Sequence, residues 1–195
     1  MATTTKTFSF AADAESWVAT PGTSVVMQWQ SGDGSPSNGC LESRVLGKNI
    51  NAGQSYWEWV GTWEDLGVPA SSLITEVGTG ADNDYNWACT EFTTGFAIGN
   101  HTGQFELFDN TPTLQGTFSS VQGDFTTTTA WATVDGAAIS VPSGIQASNS
   151  TIRLRLSSFL RTGNSTSAAV TVRQDQIILT MTYDAAVTRR IFHIS

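Results

Sequence analysis

Charge is scarce in this chain: Asp, Glu, Lys and Arg make up 13% of its 195 residues, about half of what an ordinary soluble domain carries. What charge there is falls unevenly. From Asn49 through Ile152 there is no lysine or arginine, while eleven acidic residues lie between Glu58 and Asp135. Beyond Ile152 six arginines face only Asp175 and Asp184. The formal net charge is -8. An acidic body repels phosphate, so nucleic-acid binding by the body of the protein is excluded as an expectation. The arginine-bearing end reads either as scattered solvated charge or as a docking patch for an acidic assembly surface.

Other things are missing as well. There are two cysteines, Cys40 and Cys89, too few for a metal cluster of their own, and they are expected to be free and buried. No apolar run approaches the roughly 18 residues of a membrane-spanning helix. Met1–Phe10 lacks the basic-then-apolar pattern of an export signal. No window of about 11 residues shows helical periodicity. Catalytic signatures are missing too: no nucleophile elbow, no HExxH and no glycine-rich phosphate loop. The carboxylates Glu58, Glu64, Asp65, Glu76, Glu91 and Glu106 sit in no motif of paired acids, and His101 and His193 fall in a turn and in the tail. An enzyme is therefore not expected.

What is present favours strands. Hydrophobic residues make up 39% and are spread along the whole chain, with 18 glycines and recurring Thr and Ser between them. Tyr56–Pro69 (YWEWVGTWEDLGVP) holds three of the seven tryptophans. On a strand, Trp57 and Trp59 share one face and Tyr56, Glu58 and Val60 the other. Alternating segments predict strands at Thr5–Phe10, Ser24–Gln30, Cys40–Leu46, Gln54–Val60, Leu73–Val77, Trp87–Phe92, Gly95–Ile98, Gln104–Phe108, Thr151–Ser157 and Ala168–Arg173. A last long strand turns Ile177, Leu179, Met181 and Tyr183 inward. Gly78–Asn86 and Leu160–Ser167 are predicted loops. Strands at this spacing pack as two antiparallel sheets, an all-β sandwich in one domain over 1–195. Its core spans 5–183 and residues 184–195 form a further strand or a tail.

The aromatics nearest predicted sheet faces or loops are Trp57, Trp59, Tyr85, Trp87 and Trp131. A large, rigid, apolar ring with a polar handle stacks on a sugar, buries in a partner or fills the core, and all three uses stay open for each of them.

Several motifs together resemble the jelly-roll carbohydrate-binding modules. They are the opening Phe8-x-Phe10 strand with its Asp13-x-Glu15-x-Trp17 turn, Gly39-Cys40-Leu41, Gly103-x-Phe105-x-Leu107-x-Asp109, and the closing run from Val170 through Asp175, Ile177, Leu179 and Met181 to Tyr183. The resemblance implies a jelly-roll fold. It also implies a structural calcium (Ca2+) held by Asp175 with Asp13 or Glu15. A second acidic cluster, Asp82-Asn83-Asp84, lacks the glycine and distal glutamate of a calcium loop. Modules of this kind also occur as virion components of tailed phages, so the resemblance implies a non-enzymatic capsid decoration (cement) protein. Its partner would be the major capsid protein or another virion protein, and it would be assembled in the host cytoplasm. A homotrimer would suit capsid symmetry axes. The alternative is a glycan-binding module recognising cell-surface or environmental polysaccharide.

Overall fold

A computed structural model describes residues 1–35, 38–78, 84–93, 101–123, 128 and 130–185, with the backbone alone for 84–86, 90–93, 101–103, 119–123 and 135. Its strands are β1 (Ala2–Phe8), β2 (Val18–Thr20), β3 (Val25–Ser31), β4 (Gly39–Leu46), β5 (Asn51–Thr62), β6 (Leu73–Val77), β7 (Asp84–Thr93), β8 (His101–Asp109), β9 (Leu114–Gly123), β10 (Ala132–Asp135), β11 (Ile139–Ser140), β12 (Thr151–Arg161) and β13 (Ala169–Asp184). Every pairing between them is antiparallel.

The strands form two sheets. The second runs β2-β5-β12-β8-β9. The first is arranged around β13, whose opening half lies between β4 and β7 and whose closing half lies between β1 and β6. Outside these come β3 on β4, β10 on β7 and β11 on β6. From β4 onward the chain crosses repeatedly from one sheet to the other, β5, β8, β9 and β12 belonging to the second and the rest to the first. This is the winding of a jelly-roll sandwich, the fold the sequence pattern predicts.

The alternation of each strand decides which side it buries. Ile152, Leu154 and Leu156 of β12 fill the space between the sheets, as do Phe105 and Leu107 of β8 and Leu41 and Val45 of β4. At the β1 end the core is aromatic: Phe8 meets Trp17 edge-on at 5.5 Å and Trp59 at 5.7 Å, and Phe10 meets Trp17 at 6.2 Å. Such T-shaped contacts place ring edges on the negative faces of their neighbours. Trp63 is fully enclosed and donates its indole N–H to the Ile145 carbonyl at 2.6 Å.

One element differs from the sequence reading in a way that has a physical cause. The strand predicted at Ala168–Arg173 and the long strand predicted after it are one 16-residue strand, β13. Its inward residues change parity, from Val170 and Val172 to Ile177, Leu179 and Met181. A bulge between Asp175 and Ile177 supplies the extra residue, with Gln176 in the left-handed region at φ 37°. Similarly, β12 continues through the predicted loop to Arg161, burying Leu160. The predicted strand at Gly95–Ile98 and the residues of the tail beyond 185 lie outside the described residues.

Candidate functional site

Three of the aromatic residues singled out from the sequence are buried between the sheets. Trp57 and Trp59 point from β5 into the sandwich at 4% and 7% exposure, and Trp87 enters the same core from β7 at 5%. Burial argues against Trp57 and Trp87 as sugar platforms, and Trp59, also buried, keeps only a small surface toward an open groove. Trp131 is half-buried just ahead of β10, and the Tyr85 side chain lies outside the described residues.

The residues of the calcium expectation each make local contacts. Asp13 Oδ1 accepts the backbone N–H of Glu15 at 2.7 Å, and Glu15 Oε1 accepts that of Ser9 at 3.0 Å, so both tie down the turn after β1. They line an open groove of about 620 Å³ with Lys6, Ser16, Trp59 and Asp65, and Asp175 is not part of that lining. Asp175 is wholly buried at the β13 bulge, where it accepts the N–H of Gln176 at 2.7 Å. Among the described residues no three His, Cys, Asp or Glu side chains gather as metal ligands. Asp82 and Asn83 lie outside the described residues, and Asp84 is described through its backbone only.

What the fold does assemble is the outer face of the second sheet. Because Trp57 and Trp59 turn inward, Tyr56 and Glu58 must turn outward. The same alternation turns Arg153, Arg155 and Ser157 of β12 outward, and Glu106 and Phe108 of β8. The ladder brings them together, with Arg155 opposite Glu58 on one side and Glu106 on the other. The Arg155 guanidinium lies 4.1 Å from the Tyr56 ring centroid and 4.3 Å from that of Phe108, between the two. Its Nε donates to Glu58 Oε2 at 2.5 Å, and Arg153 Nη1 donates to Glu58 Oε1 at 2.8 Å. One strand over, the Ser157 hydroxyl donates to Glu106 Oε2 at 2.6 Å.

These groups are largely withdrawn from water, with Arg155 and Glu58 side chains at 13% and 15% exposure and Glu106 at 5%. At such sites a cation over an aromatic ring contributes up to about 2 kcal/mol. The result is a firm, amphipathic strip across β5, β12 and β8, with two aromatic rings, a planar cation and two carboxylates in fixed positions. Phe108 is itself buried at 8% exposure, so the ring surface left open on the strip is that of the half-buried Tyr56, beside the donors and acceptors. Glu58 has both oxygens engaged by guanidinium groups.

Titrating groups elsewhere depart from their ordinary behaviour, Cys40 and Asp109 among them. Burial pushes the Cys40 thiol up to about 12, which keeps it protonated and inert. Asp109 is held below its ordinary value, first by the N–H of Thr113 and then by the Thr111 hydroxyl.

The sequence held a signal for the strip that the reading above passed over. Alternation puts Tyr56 and Glu58 on one face of β5, and Arg153 and Arg155 on the face of β12 opposite Ile152, Leu154 and Leu156. That these two faces adjoin depends on strand pairing, which neither strand's own pattern reveals.

No family model and no curated protein matches this chain. Among solved structures it is similar to a carbohydrate-binding module of the β-sandwich superfamily described for promiscuous specificity, at 10% identity and TM-score 0.46, covering 91% of this chain and 61% of that one. A xylan-binding domain from Paenibacillus barcinonensis matches at 18% identity and TM-score 0.47 over 90% of this chain and 98% of that one. A family 11 carbohydrate-binding module from Clostridium thermocellum, in complex with a mixed-linked tetrasaccharide, matches at 12% and 0.42 over 90% and 94%.

Proposed function

We propose that this protein is a non-enzymatic binding module that takes a polysaccharide chain across the outer face of the second sheet. The observation that carries the reading is the Arg155 guanidinium held between Tyr56 and Phe108, with Glu58, Glu106 and Ser157 in register beside it. A sugar ring needs apolar surface under its C–H groups and fixed donors and acceptors for its hydroxyls, and the strip supplies the first through the half-buried Tyr56 and the second through its charged side chains. Its side chains already hold one another in place, so little ordering cost remains for a ligand to meet.

Affinity electrophoresis through gels containing a panel of polysaccharides tests this directly. Retardation by at least one glycan is expected, and Tyr56→Ala should weaken it by about tenfold or more while the protein stays folded. Full mobility in every gel would sink the reading.

A place on the surface of a virus particle remains the second proposal, carried by the sequence resemblance. Its docking patch has lost ground, because Arg153, Arg155 and Arg173 are engaged with acidic partners inside the module. Co-sedimentation with particles lacking the protein tests it, and failure to bind them would end it.

A further inference from the structure

The first sheet ends at β3, whose partner among the described residues is β4 alone. A free edge strand invites pairing with another chain, and proteins usually blunt such edges. The other outer strands here show the usual devices. β1 carries Lys6, β2 and β11 have three and two residues, and β10 has four and closes on Asp135. β9 is interrupted by two shifts of register. β3 has none of these: seven residues, VVMQWQS, without charge, proline, glycine or a register shift.

We propose that β3 is a self-association edge, at which two copies of this chain pair antiparallel about a two-fold axis through Gln28. The strand is suited to its own reverse. That register sets Gln28 opposite Gln28, Val26 opposite Gln30 of the other copy, and Met27 opposite Trp29. The outward side then joins the two Gln28 side-chain amides, which can hydrogen-bond each other between flanking Val26–Gln30 pairs, and the inward side joins a thioether to an indole.

Charge favours this edge for a second copy. Two chains of net charge -8 repel one another, yet β3 is neutral along its whole length. The nearest carboxylate under it, Glu42, is 3% exposed and already accepts from Gln28, Gln30 and Arg173. The strand is also held ready, because Trp29 Nε1 donates to the Phe10 carbonyl at 2.7 Å. A two-fold contact uses up both edges, so association stops at the dimer and does not run on into a filament.

Disulfide trapping tests the edge and its register together. Cys40 and Cys89 are fully buried, so an introduced thiol is the one that reacts. Gln28→Cys should cross-link rapidly to a dimer under mild oxidation, whereas Val26→Cys and Gln30→Cys alone should not. Sedimentation velocity of the unmodified chain from micromolar to millimolar should show a monomer–dimer equilibrium, weakened about tenfold or more by Val26→Lys. Hydrogen exchange of the unmodified chain needs no variant to fold, and amide protection over residues 25–31 should rise with concentration. A monomer throughout, a dimer without that protection, or preferential cross-linking through Val26→Cys overturns the proposal.

Discussion

Arg155 stands directly opposite Glu58 across the β5–β12 ladder, Nε to Oε2 at 2.5 Å, and Arg153 reaches the other oxygen of the same carboxylate. In sequence these residues belong to opposite camps, one in a stretch without a single basic residue and the others in the basic end. Antiparallel pairing folds the camps onto each other. The same happens in the first sheet, where Arg173 meets Glu42 at 2.8 Å and Asp33 at 3.5 Å. The charge asymmetry of the chain is thus cancelled in space at these three arginines.

Glu58→Gln should cost about 2 kcal/mol in urea unfolding, since it strips the common partner from two half-buried guanidinium groups. The loss should persist in 1 M salt (a concentration at which exposed pairs are screened within about 3 Å). A loss that vanishes in salt would mean the pair is a surface one.

Trp87→Ala and Tyr56→Ala should separate core from surface. Trp87 is a core ring, and its truncation should lower stability by about 3–5 kcal/mol. Tyr56 is half-buried on the outer face, and its truncation should cost about 1–2 kcal/mol, mainly the lost contact with Arg155. Equal losses in thermal or denaturant melts would contradict the assignment of faces.

Gln176→Gly should stabilise the protein by about 0.5–1 kcal/mol. Gln176 sits at φ 37°, where a Cβ is strained and glycine is not. A lower melting temperature would show that the Gln176 side chain contributes more than the strain removes.

Cys40 should resist iodoacetamide at pH 8 in the folded protein and react within minutes in denaturant, because its thiol titrates near 12 and only the thiolate alkylates. The sign for stability follows: the folded state holds this proton more tightly than the unfolded one, so stability from this group falls as pH rises above about 9. Fast labelling of the native chain would place Cys40 at the surface.

Asp109 should titrate below 3.8 when followed by carboxyl NMR. Its folded-state value is depressed, so whatever it adds to stability is full above that ordinary value and fades as pH falls through the lower one. Asp109→Asn should remove that acid-side dependence. A normal titration would mean the Thr111 and Thr113 bonds are not made in solution.

Strand identity was legible wherever one face is dry. Leu73–Val77 coincides with β6, and Ile152, Leu154 and Leu156 turn inward as their spacing requires. The outer strand β9 was missed: its sequence LQGTFSSVQG shows little alternation to detect, and Phe118 is the one buried side chain among those described in it. The parity change from Val172 to Ile177 was visible, but it was read as a break between strands when it marks a bulge within one. The binding strip was half visible: each strand's outward residues could be named, but not their neighbours. The tryptophans drew attention as a class of residue, and burial, which composition does not report, assigned three of them to the core.

The position of β13 carries one more consequence. All seven pairings of β1 are made with residues 177–183, at the far end of the chain, and β4, β6 and β7 wait for the same strand. During synthesis the first sheet therefore has no centre until its last strand has left the ribosome. The second sheet can assemble earlier around β12, leaving its apolar side uncovered for that interval. Folding dominated by such distant pairings is slow, on the order of milliseconds to seconds. Loss of the final strand would leave the other half of the sandwich without a structure to join.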